Sequence, residues 1–161
     1  MSTPHITELE QILLTADDLT PFNAHLSTAM EIYSPTAPRK PLSTLGWRER
    51  WWLHNSAGQQ VVLNYWLFES SEEAQTAADQ SRPWLSTKTV WVQGRRESIY
   101  QPSEATDRLE TANAWQADHN FLFVKENVLV LVAEFGKQVP QETTLAIATK
   151  ILEKIEAHPE S

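Results

Sequence analysis

Glu49 and Asn64 fall among Trp47, Trp51, Trp66, Leu53 and Val62 in the stretch from Gly46 to Glu69, where the sequence comes nearest to assembling a site. An acid and an amide in an aromatic wall can orient a small hydrophobic molecule or a protein segment, because a few fixed polar groups give direction while the rings give area. The rings also have a plainer use, since burying one large side chain contributes roughly 1.5 to 3 kcal/mol to a folded core. Core packing is the heavier reading for Trp51 and Trp66. Arg48 and Arg50 alternate with these residues. On a strand they point to the opposite side, beside Tyr65 and Leu63, where they could bind an anion or lay their stems over apolar surface.

Catalytic chemistry finds less material. Cysteine is absent, which removes thiol nucleophiles, zinc-thiolate sites and disulfides together. No nucleophile elbow, phosphate-binding loop, dinucleotide fingerprint or helical metalloprotease motif occurs, and four glycines leave little backbone for cradling phosphate. One titratable pair is placed by pattern: opposing the two strands around Glu126-Asn127 sets His119 across from Glu134, with Asp118 adjacent. A hydrolase or isomerase could use such a pair, but a surface ion pair at a strand end, worth about 0 to 1 kcal/mol, explains it more simply. His5 and His158 lie near the termini, and Arg95-Arg96 after Gly94 reads as turn decoration. The expectation is therefore a chain without metal or cofactor, and more a binder than an enzyme.

Charge narrows the partners. Thirteen Lys and Arg stand against 21 Asp and Glu, a net charge of -8, which opposes attraction to nucleic acid or anionic lipid. The acidic excess sits at the two ends, while the segment from 46 to 100 is neutral. The longest apolar run, Val128 to Ala133, is far short of the roughly 20 residues a membrane helix needs. Met1 to Glu10 lacks a basic region followed by an apolar one, so a cytoplasmic location is expected, with an exported mature domain as the alternative.

The elements that must position these side chains follow from periodicity. With 161 residues, the chain has the size of a single domain. Thr7 to Leu14 has helical spacing at Ile6, Leu9, Ile12 and Leu13, and Thr15 with Asp18 predicts a separate capped turn before Pro21. Pro35, Pro38 and Pro41 make 34–43 a loop, as composition does for 101–108. Gly46 to Glu69 reads as a hairpin turning at Asn55-Ser56-Ala57-Gly58. Centring it on Ser56-Ala57 opposes Trp51 to Val62, Glu49 to Asn64 and Trp47 to Trp66, all on one face. Ser70 and Glu73 frame a capping box for a helix with Ala74, Ala77 and Ala78 on its buried stripe, continuing toward Trp84 and Leu85 until Pro83 ends or kinks it. Short strands flank Gly94. Phe121 to Lys125 and Val128 to Phe135 form a second hairpin, apolar on both sides and therefore central. Pro140 starts an amphipathic helix carrying Leu145, Ala148, Ile151, Leu152 and Ile155.

The fold class is thus α+β, an antiparallel sheet of two hairpins and short strands, with N-terminal, middle and C-terminal helices packed on it. The string Leu13-Leu14-Thr15-Ala16-Asp17-Asp18-Leu19, followed by Phe121 to Phe135 and a closing helix, resembles small sensor or lipoprotein-type domains and, in architecture, the Mog1/PsbP-like group. The resemblance implies a ligand- or protein-binding domain without catalysis and transfers no site residue. The functional expectation is a noncatalytic binding domain for a hydrophobic small molecule or protein segment, with Trp47, Glu49, Trp51, Asn64 and Trp66 as the site. A structural or homo-oligomeric module is the alternative.

Overall fold

The computed structural model describes residues 6, 11–32, 45–53, 56–81, 88–99, 103–104, 109, 113–117, 120–136 and 141–157. Along the chain run a 3-10 turn at Thr20–Phe22, β1 (His25–Ile32), β2 (Leu45–Leu53), β3 (Ser56–Leu67) and α1 (Ser71–Ser81). These are followed by β4 (Lys88–Val92), β5 (Arg95–Ile99), β6 (Ser103–Glu104), β7 (Asn113–Ala117), β8 (Asn120–Lys125), β9 (Val128–Gly136) and α2 (Gln141–Glu156). Seven strands make one sheet in the order β1-β2-β3-β9-β8-β7-β6, and β4 with β5 forms a separate ribbon. Every pairing is antiparallel. The α+β class holds, with two α-helices rather than three among the described residues. Thr7 to Glu10 of the expected N-terminal helix lies outside those residues, and from Ile12 to Thr15 the chain is not helical.

The β8–β9 hairpin turns at Glu126-Asn127 and opposes Phe121 to Val132 and Phe123 to Val130, the register its pattern implies. Glu126, not Asn127, takes the positive φ of 54°. Asn127 instead uses its side chain as a clamp, donating to the carbonyls of Ile6 and Phe68 at 2.7 and 2.8 Å and accepting from the Ile6 amide at 2.8 Å. A buried amide with its groups satisfied in this way ties the N-terminal segment and the end of β3 to the hairpin. In the β4–β5 ribbon Gln93 and Gly94 both have positive φ, the conformation of a tight primed turn.

The first hairpin departs from expectation. Leu53 opposes Ser56, and then Trp52 opposes Gln60. Ala57, Gly58 and Gln59 are therefore extra residues on β3, a bulge that shifts the ladder. An odd number of extra residues reverses which side chains share a face, because strand side chains alternate with period two. Trp47 consequently faces Tyr65, Glu49 faces Leu63 and Trp51 faces Val61, while Arg48 faces Asn64 and Arg50 faces Val62.

Both faces of the sheet are used. Alternation along β8 sends Phe121 and Phe123 to one side and Leu122 and Val124 to the other. The first side packs against Ile147, Ala148, Ile151, Leu152 and Ile155 of α2. The second packs against Ala74, Ala77 and Ala78 of α1, with Trp66, Trp115 and Leu129. Helix α1 starts where Ser70 Oγ accepts from the Glu73 amide at 3.1 Å, the capping the sequence implies, and stops at Ser81. Trp84 and Leu85 lie outside the described residues.

Candidate functional site

The five residues expected to form one wall are divided between the two faces. Trp47, Glu49 and Trp51 stand on the α2 side, as their spacing of two requires. Glu49 is only 5% exposed, and Trp51 Nε1 donates to its Oε1 at 3.4 Å. Burial pushes the Glu49 carboxyl above its ordinary value, against the opposing pull of the Trp51 and Trp47 indoles and the positive charge of Lys154. The Trp47 N–H leans toward this carboxylate but falls short of hydrogen-bond geometry and is buried without a partner. Next to them Tyr65 is fully buried; its hydroxyl lies near the Leu14 backbone without making a hydrogen bond. Burial, and then the Glu49 charge, push that phenol well above its ordinary value.

An acid, a phenol and two indoles thus share an interior in which the core residues of α2 also lie. Such an arrangement can hold a proton on Glu49 and fix the register of β2. It offers no surface on which a ligand could arrive, because Trp51, Leu53, Leu63 and Tyr65 are all buried.

Asn64 and Trp66 belong to the opposite side. Trp66 is buried in the α1 cluster. Asn64 is buried and held twice, accepting from Arg48 Nε at 2.7 Å and donating to the Leu131 carbonyl at 3.4 Å. The shared-face site is corrected on this point: the bulge after Ser56 rotates the amide and this indole away from the acid.

That opposite side becomes open beyond Asn64. Arg48, Arg50 and Trp52 alternate along β2, flanked by Met30 and Thr28 of β1 and by Val62 of β3. Met30 is 53% exposed and Trp52 39%; Arg48 is exposed and Arg50 and Val62 are half-buried. Two arginines therefore sit between a thioether and an indole on an accessible strip, beside Asn64 and Val62 rather than beside Tyr65 and Leu63. The arrangement can hold a negative group against arginine while an apolar body lies on Trp52 and Met30. Sequence reasoning placed the arginines on this side and missed Met30, because β1, His-Leu-Ser-Thr-Ala-Met-Glu-Ile, alternates too weakly to announce a strand.

Other sequence candidates add nothing to the strip. Asp118 and His119 lie outside the described residues, and the Glu134 amide is taken by Asn120 Oδ1 at 2.8 Å. Arg95 and Arg96 begin β5. Among the described residues no group of three His, Asp or Glu converges as a metal site, and no helix is long and apolar enough to cross a membrane.

No family model matches the sequence, and no curated protein matches it. Among solved structures, the extracellular domain of PknH from Mycobacterium tuberculosis is similar, with a TM-score of 0.62 and 12% identity over 96% of this chain and 99% of that one. At that identity the likeness establishes a shared fold.

Proposed function

We propose that this chain is a noncatalytic binding domain that receives a negatively charged, partly apolar ligand or protein segment on the open strip of β1, β2 and β3. The observation that carries the reading is the exposure of Trp52 and Met30 beside Arg48 and Arg50, on the part of the sheet that α1 does not bury. In a chain of net charge -8, two arginines on one accessible sheet face are a local exception. They favour an anionic group there even though the whole molecule repels one. The shared fold with an extracellular domain supports the exported alternative over a cytoplasmic location and suits a sensor-type role.

Anilinonaphthalene sulfonate, an apolar aromatic body with one anionic group, tests the strip. Its fluorescence should rise on binding, and both Trp52→Ala and the R48E/R50E double variant should weaken the affinity by about tenfold, about 1.4 kcal/mol. Unaltered affinity in both variants would overturn the reading.

A second reading rests on a different observation. β1 is an edge strand of eight residues with two exposed large side chains, Leu26 (49%) opposite Trp51 on one face and Met30 (53%) opposite Arg48 on the other. Among the described residues no strand pairs with its outer side, and an edge of that length can pair with a second copy. Light scattering across a dilution series separates the two: a mass that falls toward the monomer and is lowered by Met30→Glu supports the homo-oligomer.

A further inference from the structure

A groove of about 470 Å³ lies between α2 and the 3-10 turn. One wall is the 3-10 turn, through Pro21 and Phe22; the other is a helix stripe of Leu145, Ala146 and Thr149. These helix positions recur three and four apart, on the side opposite the buried Ile147, Ile151 and Ile155. Leu145 and Phe22 pack by their inner sides on the main core, and their outer sides, with Ala146, leave a partly apolar floor between helix and turn.

The wall facing that stripe is held in place before any ligand arrives. Asp18 Oδ2 accepts from the Thr15 amide at 2.8 Å and from its hydroxyl at 3.0 Å, while Thr15 Oγ1 accepts from the Asp18 amide at 3.3 Å. Lys154 of α2 pairs with the same carboxylate at 2.7 Å and donates to the Leu13 carbonyl at 2.9 Å. Burial would raise the Asp18 carboxyl, but Lys154 and Thr15 together hold it below its ordinary value. Thr20 Oγ1 donates to the Asp17 carbonyl at 2.9 Å, and Asn23 takes a left-handed conformation that turns the chain out of the 3-10 segment. A pocket whose walls are fixed in advance spares its ligand the ordering cost.

The lining charges select the ligand. Glu142 and Glu153 line the groove with Asp18, against Lys150 as the lining cation. Asp18 is already matched by Lys154, so Glu142 and Glu153 outweigh the single Lys150 and leave the groove with a net negative charge for an occupant. Those two lie about 16 Å apart along the helix, at 1.5 Å per residue, so the apolar floor is elongated with an acid toward each end. Phe22 adds a ring face that an ammonium group can approach.

We infer that this groove binds an elongated organic ammonium, its apolar body along Phe22 and Leu145 and its cationic head on a rim carboxylate. This is a second site, on the side of the sheet away from the Arg48–Trp52 strip and of opposite charge preference.

Titration calorimetry with a phenylalkyl trimethylammonium compound, its neutral tert-butyl isostere and the matching sulfonate tests it on the full chain. The ammonium compound should bind, the isostere at least about tenfold more weakly, and the sulfonate not measurably. The E142Q/E153Q double variant should bring the ammonium compound down to the isostere's level and remove the salt dependence of its binding. Ala146→Trp, a substitution at an exposed position that fills the groove without touching the core, should abolish binding while the unfolding midpoint stays put. The R48E/R50E variant should bind the ammonium compound as the wild type does, which separates this site from the strip. Equal affinities for cation and isostere, or binding that survives Ala146→Trp, would overturn the inference.

Discussion

The two faces of the central sheet are finished unequally. On one, the sixteen residues of α2 lie over β8 and β9 and, with Ile12, Leu14 and Leu19 from the N-terminal segment, bury the aromatic face of β2 and β3. On the other, the eleven residues of α1 approach closely through three alanines and bury Trp66, Trp115, Leu122 and Leu129. The helices are about 24 and 16 Å long at 1.5 Å per residue. Seven strands spaced about 4.8 Å apart make a sheet nearly 30 Å wide. One short helix cannot cover that width, and the strip it leaves on β1 and β2 is where Trp52 and Met30 meet solvent. Composition is therefore a poor guide to which tryptophans are available: Trp51 and Trp52 are neighbours in sequence, one buried and one 39% exposed.

The contrast should be largest in stability. Phe123→Ala, on the α2 side with no exposure, should destabilise the chain by about 3 to 5 kcal/mol, as deletion of a buried ring does. Trp52→Ala should shift unfolding by less than about 1 kcal/mol, although it removes a larger side chain. Denaturant titrations of the two variants make the comparison directly. Losses of similar size would mean that the open strip is core after all.

A smaller effect distinguishes the faces by pH. Glu49, buried on the α2 side, has its carboxyl pushed above the ordinary value of 4.5. The folded chain therefore keeps a proton that the unfolded chain releases first, so stability falls as pH rises from about 4.5 through the folded value. Glu49→Gln keeps an acceptor for the Trp51 indole and removes the ionisation. It should raise the unfolding free energy relative to wild type near neutral pH by on the order of 1 kcal/mol, read by denaturant titration, and lose that advantage at pH 4. An advantage that does not change with pH would show that the carboxylate is solvated.

How far the sequence revealed this arrangement depended on where irregularities fall. The β8–β9 hairpin was legible because a two-residue turn joins an unbroken ladder, so one register fixes both faces. The β2–β3 hairpin was not, because Ala57 and Gly58 read as part of the turn whereas they are, with Gln59, extra residues on β3, and an odd bulge inverts every later assignment. Glu49 between Trp47 and Trp51 survived that error, since those three sit on one strand, whereas Asn64 and Trp66 required the pairing to be right. Local caps were readable at Thr15 with Asp18 and at Ser70 with Glu73. β7, Asn-Ala-Trp-Gln-Ala, carries no β-branched residue and gave no strand signal. The open strip and the α2 groove were beyond sequence reasoning for a different reason. The strip depends on helix length measured against sheet width, and the groove on Phe22 meeting Leu145 across more than a hundred residues of chain.

Hydroxyl-radical footprinting, with and without anilinonaphthalene sulfonate, bears most directly on the unequal faces. Met30 and Trp52 should be oxidised fastest among the described methionine and tryptophan side chains, Trp51 and Trp66 slowest, and the sulfonate should slow Met30 and Trp52 while leaving the groove residue Phe22 unchanged. Oxidation of Trp51 or Trp66 at the rate of Trp52, or protection that falls on Phe22 instead of the strip, would contradict the account.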